Sequence, residues 1–449
     1  MVGGAKQTAS AKLNHDDLLL TGKTLTGVMG GGGPTPAVHL ALMRPCPRPL
    51  SAQQAGPPLS LCGGEAGHRR QRRGQRHQAH PHNVKVDPSM TYLRYSPDIE
   101  TPEADEQATI ESIIQGMTQQ SQTVEMREGH AVRASHAKST ACVIGEMRVP
   151  DNLPPELAQG LFMRGATFAV AVRFAQGPGE TLGDRVSTHR GMAIKVFGAV
   201  GDKLPGHQAD TQDFVLASGP TFPSGTTRGF LRDGTVIGKF AGLPEGAKSA
   251  VASLARNLNK ALNAVGANSA MADFFGHPFS HPLGDSYFSQ APVRFGDYVA
   301  KLGAFPASVY QDQLRDWQLD PHQDEDGFRH AAIQFFHDRD VVFELRAQLW
   351  ANAETQPIED ASVEWPVEDS QYRTVATLTL PRQDAYGAER VRYFDELLTF
   401  RPAHSLAAHR PLGGVMRARL QVYQALSDFR HCANGVASVH SANIEEIPA

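Results

Sequence analysis

The first feature with chemical potential is a set of one histidine, one tyrosine and four arginines. The imidazole of His136 can take up and release a proton near neutral pH. The phenol of Tyr423 can form hydrogen bonds or, when ionised, act as a ligand. The arginines are Arg133, Arg173, Arg419 and Arg430. Each of these side chains alone has an ordinary structural explanation, so a functional prediction depends on their order and spacing together.

The first half of this order matches a known motif series. The segment 133–138, RASHAK, resembles the R-x-x-H-A-K motif around the distal histidine of haem catalases. Val172-Arg173-Phe174 is similar to the V-R-F strand of the same family. Asp184-Arg185 and 190–195, RGMAIK, are similar to its D-x-R-G-x-A-x-K stretch with an insertion.

The second half continues the resemblance toward the C-terminus. Phe214 and Phe222 lie eight residues apart, as the pocket phenylalanines of catalases do. The segment 419–423, RLQVY, matches R-x-x-x-Y, and Arg430 follows the tyrosine by seven residues, as an arginine does in the family. Residues 394–431 look most like the smaller catalase-related haem peroxidases. The match runs from about Met90 to Glu445, and agreement of five motifs in the family order is strong evidence.

The resemblance implies a haem, expected as haem b, and assigns a role to each residue. Tyr423 would be the axial ligand, and Arg419, on the same helix face, would donate to its oxygen. His136 would act as distal base and then acid when the O–O bond of a peroxide is cleaved. The residues implied for cofactor binding are Arg133, Arg173, Phe174, Phe214, Phe222, Arg419, Tyr423 and Arg430. For Phe174, ordinary core packing is an equally good interpretation.

Three positions depart from the catalase pattern. No asparagine precedes the first pocket phenylalanine, and Asp210 or Gln212 is a candidate replacement, with a catalytic role assigned to Asp210. Ala175 stands where the family has a serine, and Ser135 precedes the distal histidine where the family has an apolar residue. A hydroxyl beside His136 would hold its imidazole and slow the two proton transfers of hydrogen peroxide dismutation. We therefore predict a peroxidase with weak true catalase activity that accepts organic hydroperoxides.

Two other functions fit the same residues. A haem store or sensor would bind the cofactor without turnover, but it has no need of a distal acid–base. A catalase-like shell without haem would serve as an interaction module, and the set of Arg419, Tyr423 and His136 argues against it. The expected partners of the enzyme are a small-molecule peroxide, an unknown reducing co-substrate and, at most, a second copy in a homodimer.

Composition limits the remaining function classes. The 449-residue chain has a net charge of −4, which argues against nucleic-acid binding by the folded part. No run of eighteen apolar residues and no secretory signal are present, so we expect neither a membrane span nor export. The four cysteines form no close pair, which favours a reducing, cytoplasmic setting.

The elements that must position these residues follow from composition and periodicity. Residues 1–89 are rich in glycine, proline and basic residues, which predicts a disordered low-complexity tail or an over-called start, with the natural start at Met90. Residues 90–445 are expected to form one catalase-like haem domain. Short apolar runs predict strands at 141–147, 168–174, 191–197, from Phe214, and at 287–296, 333–338, 341–351 and 372–380.

Two segments have helical periodicity instead. One begins with Thr101-Pro102 as N-cap and first turn and continues through Ile110, Ile113, Ile114 and Met117. The other, 247–265, places Val251, Leu254 and Leu258 on one face. With residues 394–431 read as a loop and a helix, the predicted fold class is α+β. It is a catalase-like closed antiparallel β-barrel of about eight strands with surrounding helices.

Overall fold

The computed structural model describes residues 91–264, 269–314, 317–439 and 443–448. The predictions for residues 1–89 lie outside this part of the chain. Among the described residues, no helix combines the length and the apolar character needed to cross a membrane.

The centre of the fold is one antiparallel sheet. Its strands are β1 Ser139–Val149, β2 Ala166–Gln176, β3 Arg190–Phe197, β4 Thr211–Ser218, β5 Tyr287–Phe288, β6 Val293–Phe295, β7 Tyr298–Pro306, β8 Val341–Leu349 and β9 Tyr372–Leu380. The strand order is β5-β4-β3-β2-β1-β9-β8-β7-β6, and an additional pairing between β5 and β7 closes eight strands into a barrel, with β6 attached to β7. The predicted fold class is therefore confirmed.

The barrel interior is filled by side chains that alternate along each strand. Phe174 of β2 is fully buried and contacts the rings of Tyr287, Phe336 and Phe343 at centroid distances of 5.9, 6.5 and 6.0 Å. Because successive side chains of a strand point to opposite faces, the neighbour Arg173 points outward. The interior of the barrel is thus a packed core, and any site must lie outside it.

Helices cover the outside of the barrel. They are α1 Glu106–Glu128, α2 Thr227–Ala241, α3 Glu245–Ala264, α4 Ala270–Phe275, α5 Val309–Asp312, α6 Gly327–Asp338, α7 Ala388–Arg392 and α8 Gly414–Ala433, and a π-helical turn at Tyr393–Leu397 follows α7. Ile110 and Ile113 of α1 are buried in one cluster with Ala418 and Val422 of α8. This packing fixes the orientation of α8, which carries Arg419, Tyr423 and Arg430.

Several element predictions need correction. The run 287–296, predicted as one strand, contains β5 and β6 with non-strand residues between them. Residues 333–338 are helical, since Phe328, Ala332 and Phe336 of α6 are buried at a spacing of four residues, which is helical periodicity. Strand β7 was not predicted, because its sequence contains a buried lysine, Lys301, whose ammonium donates to the Val363 carbonyl at 2.9 Å. Helix α1 begins at Glu106 and not at Thr101.

The second predicted helix is present with an unexpected exposure. Helix α3 covers Glu245–Ala264, close to the predicted 247–265. The apolar side chains of its predicted stripe are exposed to solvent, with 71% of Leu254 and 52% of Leu258 accessible. Its buried positions are instead those of Lys248, Ala252 and Asn259.

Candidate active site

The candidate site is a cavity of about 240 Å³ between the outer face of the barrel and helices α1, α2 and α8. Arg173, Ala193 and Val215 are register partners on β2, β3 and β4, and together they form part of its barrel-side wall. The predicted site residues that line this cavity are Arg133, Ser135, His136, Arg173, Phe222, Arg419, Tyr423 and Arg430. Residues from four separate parts of the sequence therefore meet at one place.

His136 belongs to the barrel-side wall and its backbone is held in an unusual conformation. Its φ of 58° lies in the left-handed region, which non-glycine residues rarely adopt and which is frequent at functional sites. The His136 amide donates to the Gly177 carbonyl at 3.0 Å, and Arg173 Nη1 donates to the His136 carbonyl at 2.8 Å. Both backbone polar groups are thus fixed, and the direction of the imidazole is fixed with them.

His136 is half-buried, and its imidazole is neutral near neutral pH. Burial holds its pKa well below the usual range, and the nearby His189 and Arg173 act in the same direction. Its Nδ1 is buried without a hydrogen-bond partner, so the hydroxyl of Ser135 does not bond to that nitrogen. The ring also packs tightly on β3, since a Cβ added to Gly191 would lie 2.7 Å from Nδ1. A neutral imidazole has one ring nitrogen with a free lone pair, so it is a potential proton acceptor.

Tyr423 lies on the helix-side wall and is supported as predicted by its helical neighbour. Arg419, one turn earlier on α8, is buried and its Nη2 donates to the Tyr423 hydroxyl at 3.2 Å. Its Nη1 contacts the sulfur of Met416 at 3.2 Å, which orients the guanidinium. Among the described residues, no group of three or more His, Cys, Asp or Glu side chains could hold a metal ion directly. The role of Tyr423 as an axial ligand stays a prediction from the sequence resemblance.

Three arginines form a cationic cluster around one carboxylate, Asp395. Arg173 Nε donates to Asp395 Oδ1 at 2.7 Å, and Arg133 Nη1 donates to the same oxygen at 3.3 Å. Arg430 Nη1 donates to the Asp395 and Glu396 carbonyls at 2.6 and 2.9 Å. Burial opposes ionisation of Asp395, but Arg173 and Arg133 outweigh it and lower the carboxyl pKa.

The cluster retains an excess of positive charge. Burial and the charges of Arg173 and Arg430 hold the pKa of Arg133 well below its usual range. The pKa of Arg430 is lowered to about 10, mainly by burial. Asp395 and, near Arg430, Glu396 supply two carboxylates for three guanidinium groups, so the cluster would bind a further anionic group favourably.

Three predicted residues lie elsewhere. Phe174 and Phe214 point into the barrel, where Phe214 stacks on Phe162 at 6.3 Å, because strand alternation turns them away from the cavity. On β4 it is Val215, the next residue, that lines the cavity. Asp210 lies at the exposed start of β4, where its carboxylate pairs with Lys203 at 2.5 Å, and it does not line the cavity.

Several cavity residues were not predicted. His189 lies at the start of β3, with its ring centroid 5.0 Å from that of His136. Phe274 of α4 stacks on the His189 ring at 4.1 Å and also lines the cavity. The only signal for His189 in the sequence is its position directly before the Arg190-Gly191 motif. No sequence motif pointed to Asp395, since it belongs to a turn that is distant in sequence from the arginines to which it is hydrogen-bonded.

Comparison with solved structures returns catalases. The chain is similar in structure to a fungal catalase, with 16% sequence identity and a TM-score of 0.47 over 72% of this chain and 65% of that one. It is also similar to catalase A from Saccharomyces cerevisiae, with 14% identity and a TM-score of 0.48 over 68% and 62% of the two chains. For a bacterial catalase the values are 15% and 0.46 over 68% and 58%.

In all three comparisons the match spans less than two thirds of the length of the catalase. No protein-family model matches the sequence, and no curated protein matches it.

Proposed function

We propose that this chain is a haem-dependent peroxidase related to catalases, which cleaves hydrogen peroxide or organic hydroperoxides. The observation that carries the proposal is that a neutral, partly unpaired imidazole and an arginine-supported tyrosine line one cavity. His136 belongs to its barrel-side wall and Tyr423 to its helix-side wall. This pair would serve as distal acid–base and axial ligand.

The chemistry of the walls suits a haem. The cationic cluster of Arg133, Arg173 and Arg430 has Asp395 as its hydrogen-bonded counter-ion and the Glu396 carboxylate near Arg430, so the carboxylates of a porphyrin would compensate the remaining charge. Several donors of the cluster already bind backbone carbonyls, so the arginines serve the local backbone as well as a ligand. Apolar side chains such as Phe222 and Val422 supply surfaces for a macrocycle.

A bound ferric haem would supply the electrons that cleavage of an O–O bond requires. The protein would contribute the proton transfers and the charge balance. The His136 Nδ1 is buried against β3, so the proton of the hydroperoxide would pass to Nε2 and then to the departing oxygen. Arg419 would stabilise the anionic form of Tyr423 through its hydrogen bond to the phenol oxygen.

The prediction of weak catalase activity no longer depends on Ser135 or Asp210. Ser135 lines the cavity, but its hydroxyl does not hold the His136 Nδ1. Asp210 is remote, and Ala175, which also lines the cavity, offers no hydroxyl. The described site therefore lacks the polar side chains that the catalase pattern places beside the distal histidine, and we expect peroxidase turnover to exceed oxygen evolution.

A visible spectrum of the purified protein tests the proposal, with and without added hydrogen peroxide. We expect a Soret band that changes on peroxide addition, together with oxidation of guaiacol. Tyr423→Phe should lose or strongly shift the Soret band, whereas the control Tyr386→Phe, outside the cavity, should keep it.

The outcomes separate the alternatives. A protein reconstituted with haem that shows no Soret band would contradict haem binding. A Soret band without any oxidation of guaiacol or hydroperoxide would instead favour a haem store or sensor.

A further inference from the structure

A second imidazole lies beside His136 in the same cavity. The ring centroids of His136 and His189 are 5.0 Å apart and the rings are nearly perpendicular, at 71°. The side chain of His189 is buried and its Nδ1 has no hydrogen-bond partner. Both Nδ1 atoms lie against glycines of the barrel, that of His136 against Gly191 and that of His189 against Gly177, so Nε2 is the nitrogen of each ring that can bind a ligand in the cavity.

The position of His189 is fixed by its surroundings. Phe274 stacks on one face of the ring at a centroid distance of 4.1 Å, and the His189 amide donates to the Phe274 carbonyl at 3.2 Å. Gly177 leaves room for the ring, since a Cβ there would lie 2.5 Å from the His189 Nδ1. The carbonyl of Gly177 also accepts the His136 amide, so one glycine positions both imidazoles.

His189 also lines a second cavity. The walls of this cavity include Asp273, His277 and Asn259, and His189, Phe274 and Gln290 belong to both cavities. A histidine of an ordinary core would be enclosed by apolar side chains on all sides. His189 instead lies between the candidate active site and a second cavity whose walls include charged and amide side chains.

The ring of His189 is neutral at physiological pH. Burial lowers its pKa to about 4, and this effect outweighs the opposing charge of Asp273. The neutral ring carries one N–H donor and one acceptor nitrogen, so it can donate one hydrogen bond to a ligand in the cavity.

We infer that His189 is a second distal residue that binds the hydroperoxide together with His136. In this arrangement, which rests on the proposed function, His136 accepts the O–H proton of the hydroperoxide while the N–H of His189 donates to one of its oxygens. His189 thereby supplies the polar contact that no asparagine supplies in this chain. The contact is a hydrogen bond only, so no atom is transferred to or from His189.

Hydrogen cyanide is a suitable probe, because it binds ferric haem as an anion while a distal base holds its proton. The experiment measures the cyanide Kd from the Soret shift of the haem-loaded protein for wild type, His189→Phe and His189→Asn. The phenylalanine keeps the stacking on Phe274 but removes the donor, so the Kd should rise by about five-fold, as expected for one lost hydrogen bond. The asparagine keeps an N–H and should bring the Kd back to within about two-fold of wild type.

His207→Asn is the control, since His207 is a half-buried histidine that also has a lowered pKa, and it does not line the cavity. Its cyanide Kd should equal that of wild type. An unchanged Kd in His189→Phe, or an equal rise in the control, would overturn the inference while leaving haem binding intact. Absence of a Soret band in the wild type would overturn the proposed function instead, and with it this inference. If His189→Phe fails to load haem, the cyanide Kd of His189→Asn is used instead. A Kd of His189→Asn raised by about five-fold or more would mean that an amide cannot replace the imidazole, which would contradict simple N–H donation by His189.

Discussion

Gly191 provides a direct test of how closely the position of His136 determines turnover. A Cβ at residue 191 would lie 2.7 Å from the His136 Nδ1, whereas ordinary contacts begin at 3.4 Å. Strand β3 cannot move away, because Gly191 is paired with Ala175 on one side and Ala217 on the other. In Gly191→Ala the ring must therefore retreat by about 0.7 Å.

A shift of this size should affect the chemistry more than the fold. Misplacement of a catalytic group by about 1 Å can lower a rate by about 100-fold, so we expect kcat for peroxide-dependent guaiacol oxidation to fall by roughly 10- to 100-fold in Gly191→Ala. Soret absorbance and far-UV circular dichroism should remain close to those of wild type. Steady-state kinetics at saturating peroxide, normalised to haem content, measures the effect.

Gly116→Ala is the matched control for the same chemical change. Nothing lies within 4 Å of a Cβ at Gly116, which is in the middle of α1, so this variant should keep wild-type kcat and gain up to about 1 kcal/mol of stability. The reasoning would be refuted by a Gly191→Ala protein with full haem content and wild-type kcat. It would also be refuted if both glycine variants lost activity equally.

Three further outcomes follow from the charges and burial of the site. Because burial holds the pKa of His136 well below 6.5, its neutral form persists on acidification, and kcat/KM for peroxide should be constant from about pH 7 to 6. A fall in kcat/KM with a midpoint near pH 6.5 would contradict the assignment of His136 as the base. Burial also lowers the pKa of His189 and His409 to about 4, so the unfolded chain takes up protons first as pH falls. The free energy of unfolding, measured by urea titration, should therefore decline between about pH 6.5 and 4, and a constant value would argue against buried neutral histidines. Asp395→Asn should lower the free energy of unfolding by about 3 kcal/mol, because it leaves buried guanidinium groups without their carboxylate. The control Glu396→Gln removes a more exposed partner of a histidine and should lower it by less than about 1 kcal/mol. Equal effects of the two variants would contradict the role of Asp395 as counter-ion of the arginines.

Local sequence patterns predicted most of the barrel because its strands are short apolar runs bounded by turn residues. The strand at 372–380 was predicted at its observed limits, and those around Cys142 and Val172 were short by only a few residues. The error at 333–338 has a clear physical cause. A short apolar run fits both helix and strand, and only the longer spacing of buried residues from Phe328 onward distinguishes them.

The site was predicted in part because motif spacing identifies residues but not the direction of their side chains. The pairing of Arg419 with Tyr423 depends on one helical turn and was therefore predictable. The positions of Phe174 and Phe214 depend on which face of a strand is buried, and the sequence alone does not decide this for a barrel covered on both sides. His189 and Asp395 act through partners that are distant in sequence, so tertiary structure was needed to find them.

The order in which the barrel strands pair also has a consequence for synthesis of the protein. Strands β1 to β4 pair each with the next strand in sequence, so this half of the barrel can assemble while the chain is still emerging from the ribosome. The free side of β1 pairs with β9, where Glu146 lies opposite Thr379, and this partner is translated much later. A nascent chain must therefore carry an open strand edge while the residues between β1 and β9 are translated, and chaperones that shield such edges would act on β1.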